Sequence, residues 1–228
     1  METLEITLNQ TLCMKAPLKF GIIEYHNITV SESPMMLKGR LQLFQESIYF
    51  DVDTKPLEQR SGISEWRNLF KTIGTNPSRY RPSVEAMYRR IYKQNYLNTV
   101  HSAVDLNNFF SLQYETPIGL YDLEKINHSV TIEIGTKNDT FIGLNRRENS
   151  LENMIITKDK LGAFGSPFVD SERTAVNTDT THALQIVYLP PSISNDRGKQ
   201  LTHSLEKMFT NIHGGNSHSY LLSCEGCE

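Results

Sequence analysis

Cysteine, long apolar runs and excess positive charge are all scarce in this 228-residue sequence. Its three cysteines (Cys13, Cys224 and Cys227) form an odd set, which fits a reducing compartment better than a disulfide framework. No stretch approaches the roughly 18 apolar residues of a membrane helix, and the acidic start METLEITLNQ is unlike a secretory signal. We therefore expect a cytoplasmic protein with no membrane partner.

The net charge of −3 argues against a protein with one broad basic face. RNA stays open as a partner, because phosphate contacts need only a local cluster of lysine and arginine. A hydrophobic content of 38% with 21% charged residues is ordinary for a globular protein. The length suits one large domain or two small ones that share a core.

Sequence motifs of cofactor and metal sites are also missing. Neither GxGxxG nor GxxxxGK[ST] occurs, so we expect no nucleotide cofactor, and there is no GxSxG nucleophile elbow. The seven histidines include no HExxH pair. The tail motif CEGC, Cys224 to Cys227, is half of a zinc knuckle that His213 and His218 lie near enough to complete. A flexible tail without metal is the favoured interpretation, so we predict neither cofactor nor metal.

Helices are predicted mainly in the middle of the chain. The first 55 residues have the texture of strands and turns, with a β-branched and aromatic stretch from Phe20 to Val30. Apolar residues at helical spacing then predict helices that start near Ser61 and after Pro82, and a third is expected from Ser102. A last amphipathic helix runs from about Lys199 to Ile212.

Strands are predicted again beyond Pro117, at Val130 to Ile134, Phe141 to Leu144, Met154 to Thr157 and Leu184 to Leu189. Helices gathered between two strand-rich regions indicate an α+β fold, a single compact domain with a mixed or antiparallel sheet and packed helices. We assign residues 1–59 to a strand-rich N-terminal part, 60–190 to the core of the domain, and 191–228 to a C-terminal helix and flexible tail.

The most unusual segment is GTNPSRYRPSVEAMYRRI, in which four arginines are interleaved with tyrosines. Its candidate RNA-binding residues are Arg79, Tyr80, Arg81, Arg89 and Arg90. Arginine forks bind phosphate in a bidentate way, and tyrosine rings stack on bases, so this segment suits an RNA partner. The alternative is a loop and helix whose arginines form surface pairs with acids.

A second polar group lies at the start of the helix predicted from Ser102, where Asp105, Asn107 and Asn108 cluster. These side chains either form the floor of a ligand pocket or cap the helix and hold a turn. Capping is the commoner role of Asp and Asn in such a place.

Taken in order, these segments resemble the paired modules that form the tRNA-editing domain of the bacterial phenylalanyl-tRNA synthetase beta subunit. The resemblance covers about residues 60–190 and is closer to free-standing relatives of that domain, which show a basic Arg-Pro-Ser-x-Glu-Ala helix. Its strongest element is V-D-x-x-N, then Pro, then Y/F-D-L, present here as Val104-Asp105, Asn108, Pro117 and Tyr121-Asp122-Leu123. The Gly162 to Gly165 turn and the Asp179-Thr180-Thr181 stretch resemble the closing segment of the family.

The resemblance implies an α+β fold with a pocket between the two modules. In the synthetases that pocket receives the 3′ end of tRNA carrying tyrosine in place of phenylalanine, and water hydrolyses the ester without ATP or a redox cofactor. An aminoacyl ester is already activated, so a protein has mainly to position water and stabilise the oxyanion. For this chain the resemblance implies tRNA or aminoacyl-tRNA as partner, with hydrolysis of mischarged species in trans. The implied pocket residues are Asp105, Asn108, Tyr121, Ser171 and Thr174, and no catalytic residue is assigned.

One position departs from the synthetases, which usually carry a histidine lining the pocket where this sequence has Gly119. The free-standing relatives commonly have glycine there too. His101 either compensates for the missing histidine or is a buried structural residue, and the second interpretation is favoured. The departure supports an alternative function, a non-catalytic binding module for tRNA or an amino-acid-like small ligand.

Overall fold

The structure, a computed structural model, describes residues 4–224 and the backbone of residues 226–227. Its α-helices are α1 (Gln10–Lys15), α2 (Met35–Phe50), α3 (Ser61–Ile73), α4 (Ser83–Ile91), α5 (Ser102–Tyr114) and α6 (Asn195–His213). Its strands are β1 (Ile6–Leu8), β2 (Lys19–His26), β3 (Ile118–Asp122), β4 (Val130–Ile134), β5 (Thr140–Ile142), β6 (Glu148–Ser150), β7 (Ile155–Asp159), β8 (Gly162–Gly165), β9 (His182–Leu189), β10 (Asn216–Ser223) and β11 (Gly226–Cys227).

Two sheets and a short hairpin organise these strands. The larger sheet is antiparallel, with strand order β11-β10-β2-β9-β3. The smaller has the order β1-β4-β7-β8, in which β1 pairs with β4 in parallel and the other pairs are antiparallel. Strands β5 and β6 pair with each other as an antiparallel two-stranded hairpin. This mixture of helices and mainly antiparallel sheets confirms the predicted α+β class.

The larger sheet carries a hydrophobic core on each face. One face packs against the smaller sheet and α3, with Phe20 and Tyr121 among its residues. The other packs against α5 and α6, with Tyr25 and Phe209 stacked 4.1 Å apart. Strand β2 lies between β10 and β9 and is buried on both faces, which fits its apolar run from Phe20 to Ile23.

Several predicted elements are confirmed. Helix α3 starts at Ser61 and ends at Gly74, whose φ of 102° makes it a left-handed C-cap. Helix α4 follows Pro82, α5 begins at Ser102, and β4 has the predicted bounds. In α3, α4 and β4 the apolar periodicity matches the face that the fold buries.

The predictions for the two ends of the chain need correction. Strands and turns were expected through residue 55, but Met35–Phe50 form the 16-residue helix α2. Its apolar residues surround the helix instead of forming one stripe, so no helical period is visible in the sequence. The tail was expected to be flexible, but Asn216–Ser223 form β10, which pairs with β2 along its whole length.

The expectation of free cysteines is wrong for one pair. Cys13 on α1 and Cys224 after β10 form a disulfide, with their Cα atoms 5.4 Å apart. The sequence could not reveal this pairing, because the two cysteines are 211 positions apart and meet only in the folded protein. None of the helices in the described part of the chain is long and apolar enough to span a membrane.

Candidate functional site

The arginine-rich segment lines a concave surface of about 620 Å³. We call this surface the basic concavity. One wall is α4 with the residues just before and after it, and the other is the connection between α2 and α3. Its cationic residues are Arg81, Arg89, Arg90 and Lys93, and Glu58 is the acid in the lining. The lining of the concavity therefore carries four positive charges and one negative charge, whereas the whole chain has a net charge of −3.

Glu85 organises the arginines behind the basic concavity. It is fully buried on α4, and Arg67 of α3 donates to both of its oxygens, at 2.8 and 2.9 Å. Arg89 donates to the same carboxylate at 2.8 Å, and Arg81 lies 4.0 Å from it. One carboxylate is therefore shared by three arginines. Pairing with acids, the alternative to RNA binding for this segment, does occur, but Glu85 balances the charge of only one of the three arginines. The side chains of Arg81 and Arg89 remain 44% and 45% exposed.

The loop before α4 has a packing role. Tyr80 meets Phe168 edge-on at 5.4 Å, and Arg79 lies over the Tyr80 ring at 5.1 Å. The Ser83 amide also donates to the Pro167 carbonyl, at 2.8 Å. These contacts hold the loop against residues 166–169, so Tyr80 is committed to a protein neighbour while Arg79 stays exposed.

Tyr121 occupies the space between β3 and β8, where the resemblance implies a pocket. Its side chain is fully buried and passes between two glycines, Gly119 on the same face of β3 and Gly165 at the end of β8. A Cβ atom at Gly119 would lie 2.5 Å from Tyr121 Cζ, and one at Gly165 would lie 2.6 Å from it. A histidine therefore cannot stand at position 119 while Tyr121 holds this place.

A polar network surrounds the Tyr121 hydroxyl. Tyr121 donates to Asp170 at 2.8 Å, and its oxygen lies 3.2 Å from the Tyr188 hydroxyl, which is 3.0 Å from the Thr157 hydroxyl. Burial raises the pKa of Asp170 to about 7, although hydrogen bonds from Tyr121 and from backbone amides lower it. A carboxyl group with a pKa near neutrality can accept or release a proton under ordinary conditions.

The predicted pocket residues fall into two separate groups. Tyr121, Ser171 and Thr174 lie together, because a bridge between Tyr121 and Ala175 brings the two segments side by side. Ser171 caps a short 3₁₀ helix by accepting from the Arg173 amide, and Thr174 is fully buried. The prediction that these residues bind substrate stays a prediction.

Asp105 and Asn108 belong to the second group, on α5. This helix packs on the opposite face of the larger sheet from Tyr121. Asp105 is fully buried and accepts from the Ser33 hydroxyl at 2.5 Å and the Val100 amide at 2.9 Å. These bonds fix two loops at the start of α5, which is the capping role weighed for this residue. Asn108 is partly buried one turn further on.

His101 is the N-cap of α5 and accepts from the Val104 amide through Nδ1, at 3.4 Å. It is 7% exposed and its other ring nitrogen lies 3.3 Å from the Val176 carbonyl. The structural interpretation of this histidine is therefore supported. Within the described residues no group of three or more His, Cys, Asp or Glu side chains is placed to hold a metal ion, and the Cys227 side chain lies outside them.

Two contributors to the site were missed from the sequence. Asp170 stands between a valine and a serine without any motif, and its environment depends on β3, which is about 50 residues earlier. Glu85 lies in the first turn of α4, where the helix dipole alone favours an acid. The nearby basic residue Arg67 sits on the preceding helix, so no spacing within α4 could show their pairing.

The family of this chain follows from its similarity to known proteins. A model of the B3/4 domain matches residues 65–208, more than half of the chain. This chain belongs to the B3/4 domain family. It is 36% identical over 200 residues to an uncharacterized protein, YhzB, of Bacillus subtilis (strain 168), covering 88% of this chain and 90% of that protein.

Phenylalanine-tRNA ligase beta subunits also match this B3/4 protein. The beta subunit of Fusobacterium nucleatum is 20% identical over 215 residues, which cover 92% of this chain and 26% of that subunit. Among solved structures, an N-terminal fragment of the phenylalanyl-tRNA synthetase beta subunit from Pyrococcus horikoshii matches with a TM-score of 0.49 and 16% identity. That match covers 95% of this chain and 51% of the fragment. The chain thus spans about a quarter of the curated synthetase subunit that it resembles.

Proposed function

We propose that this B3/4 protein is a cytoplasmic tRNA-binding domain that grips the phosphate backbone through the basic concavity. The carrying observation is the concavity itself, in which Arg81, Arg89, Arg90 and Lys93 face a single lining acid. Arginine and lysine in a concave surface attract phosphates over a longer range than isolated surface charges do. The relation to a tRNA ligase subunit makes tRNA the RNA to test first.

Binding is tested by removing two cations that do not share Glu85. Arg90→Gln with Lys93→Gln is expected to weaken tRNA binding roughly ten- to hundred-fold near 0.1 M salt. The slope of log K against log salt, which is negative, should become less steep by about 2. Both side chains are exposed, so the fold should be unchanged. Filter binding over a salt series measures the effect.

The matched control is Arg146→Gln with Arg147→Gln, which makes the same change in net charge on the exposed turn between β5 and β6. We expect this control to retain the wild-type affinity and slope. Equal losses in both double variants would indicate attraction by net charge alone. Wild-type protein that fails to retain tRNA at low salt would contradict the proposal.

Hydrolysis of a mischarged aminoacyl ester in trans is the second candidate function. It is supported by Asp170, a buried carboxyl group bonded to Tyr121, at the position where the resemblance places the pocket. In this proposal the carboxylate accepts a proton from water, the water oxygen attacks the ester carbonyl, and the ribose oxygen leaves with a proton. Its pKa of about 7 suits a general base at neutral pH.

A deacylation assay separates the two functions. If Asp170 is the base, deacylation of labelled aminoacyl-tRNA should rise with pH through about 7 and then level off, because only the ionised carboxyl accepts a proton. Asp170→Asn should lower the rate by about 100-fold or more with little change in tRNA affinity. Binding without turnover across a panel of amino acids would instead identify the chain as a non-catalytic module.

A further inference from the structure

The basic concavity contains apolar residues as well as cations. Its lining includes Val52, Pro56, Leu57, Ala86 and Tyr92, which we call the apolar lining. Leu57 is buried, and Val52, Pro56 and Tyr92 are partly buried, whereas the four cationic side chains of the concavity are exposed. A site for phosphate alone needs cations but no apolar surface. The concavity therefore fits a ligand that has both an anionic part and an apolar part.

The fold holds the ring of Tyr92 in place. Its hydroxyl accepts from Arg60 Nε at 2.7 Å and donates to the Lys55 carbonyl at 2.8 Å. Its ring meets the Tyr88 ring edge-on at 6.2 Å, and the Arg60 guanidinium lies 5.7 Å from its centroid. Arg60 and Tyr88 are buried, so the part of Tyr92 that lines the concavity is not the part that they cover. A ring that is already fixed loses little conformational freedom when a flat ligand stacks on it.

The cations lie beside Tyr92 on the same wall of the concavity. Arg89 is one helical turn before Tyr92, and Ala86 is one turn before Arg89. Arg90 and Lys93, four and seven positions after Ala86, continue along the same wall. A flat group that packs on Tyr92 therefore has guanidinium groups next to it, and these bind phosphate in a bidentate way.

We propose that the basic concavity binds an unpaired RNA nucleotide, with its base stacked on Tyr92 and its phosphates bound by Arg89 and Arg90. This inference rests on the proposed tRNA-binding function and specifies which part of an RNA enters the concavity. The volume of about 620 Å³ lies within the roughly 300–1,000 Å³ of small-molecule pockets, so a base and its ribose can enter together. Asn95 adds an amide that can donate to, or accept from, the edge of a base.

Double-stranded RNA fits this lining poorly. In an A-form helix the bases are paired and stacked on one another, and proteins contact mainly phosphates and 2′-hydroxyls. A duplex would engage the cations but leave the apolar lining in contact with water. An unpaired nucleotide covers both, because its base has a free face for Tyr92. Loops and ends of folded RNA supply such nucleotides.

Short synthetic RNAs test the proposal with wild-type protein. We expect a single strand of about eight nucleotides to bind at least about tenfold more tightly than a duplex of the same length, although the duplex carries more phosphates. A strand of the same length without bases keeps every phosphate and should bind about 5- to 100-fold more weakly than the intact strand. Fluorescence anisotropy of end-labelled RNA measures all three affinities at one salt concentration.

Tyr92→Leu should weaken binding of the intact single strand about 5- to 100-fold, because it removes the stacking ring. The salt dependence should be unchanged, since no phosphate contact is lost. Tyr92→Phe is the matched control, because it loses the same hydroxyl bonds to Arg60 and Lys55 but keeps the ring. It should retain the wild-type affinity. Circular dichroism confirms that both variants are folded.

The outcomes separate this inference from the tRNA-binding proposal on which it rests. Duplex that binds as tightly as the single strand, or a strand without bases that keeps full affinity, overturns the inference. Tyr92→Leu and Tyr92→Phe with equal losses overturn it too, because the hydroxyl bonds would then explain the effect. In each of these cases tRNA binding stands if Arg90→Gln with Lys93→Gln still weakens it. Wild-type protein that binds no RNA at low salt refutes both proposals.

Discussion

Gly119→Ala is expected to lower the free energy of unfolding by about 3 kcal/mol or more, at the upper end of the usual cost of overpacking. The added Cβ would lie 2.5 Å from Tyr121 Cζ and closer still to the Tyr121 hydroxyl oxygen. The Tyr121 ring cannot retreat toward β8, because Gly165 meets it on that side. Any relief must come from moving a buried ring whose hydroxyl is bonded to Asp170. Urea unfolding followed by circular dichroism measures the loss.

Gly39→Ala provides the control for this prediction. Gly39 lies within α2, and a Cβ atom there has open space around it, so alanine should stabilise the protein by about 0.5–1 kcal/mol. In Gly119→Ala with Tyr121→Leu, the combined loss should be smaller than the sum of the single losses, because leucine removes the atoms that the methyl group strikes. A wild-type unfolding midpoint for Gly119→Ala would contradict the packing described here.

The same contact gives a physical reason for glycine where the synthetases have histidine. Tyr121 fills the volume that a side chain at position 119 would need, so the two positions are coupled. The glycine was noted in the sequence as a departure, but its cause is visible only when β3 and β8 are brought together. With glycine at position 119, Asp170 is the proton acceptor on which the proposed hydrolysis would depend.

Removing the Cys13–Cys224 disulfide is the second change with a large expected effect. Cys13→Ser with Cys224→Ser should lower the free energy of unfolding by about 3 kcal/mol, because the bond closes a loop of 211 positions in the unfolded chain. Urea unfolding of the double variant and of wild-type protein with reductant should then give the same midpoint. The disulfide links α1 to the end of β10, so the loss is expected in the packing of both ends of the chain.

A thiol count checks the disulfide independently of stability. The sequence has three cysteines, so unfolded protein that has not been reduced should show one free thiol, and reduced protein should show three. Three free thiols in protein purified without reductant would show that the bond does not form. In a reducing cytoplasm Cys13 and Cys224 are expected to be thiols. The disulfide would then form only after the protein is isolated under oxidising conditions.

The elements that could be predicted from the sequence are those whose periodicity is local. Helices α3 and α4 have one apolar stripe each, and β4 alternates between a buried and a more exposed side. Helix α2 was missed because its apolar residues lie on two faces, one for the core and one exposed. Strand β10 was missed because its polar sequence becomes a strand only by pairing with β2, almost 200 residues earlier.

The candidate site divides in the same way. The arginines of residues 79–90 are close together in the sequence and could be recognised there. The rest of the site depends on segments that come together only in the folded protein. These parts are the pairing of Glu85 with Arg67, the second wall of the basic concavity, and the contact of Asp170 with Tyr121. Composition and spacing carry no information about such meetings, so these parts required the structure.

The position of β2 has a consequence for how the chain is made. This strand is completed within the first 26 residues, yet its neighbour β9 begins at His182, and paired residues such as Tyr25 and Gln185 are 160 positions apart. At about 5–20 residues per second, the ribosome needs roughly 10–30 s to supply that partner. Until then both edges of β2, a strand that the fold buries on both faces, are unpaired. The central sheet therefore forms only after β9 and β10 have been synthesised.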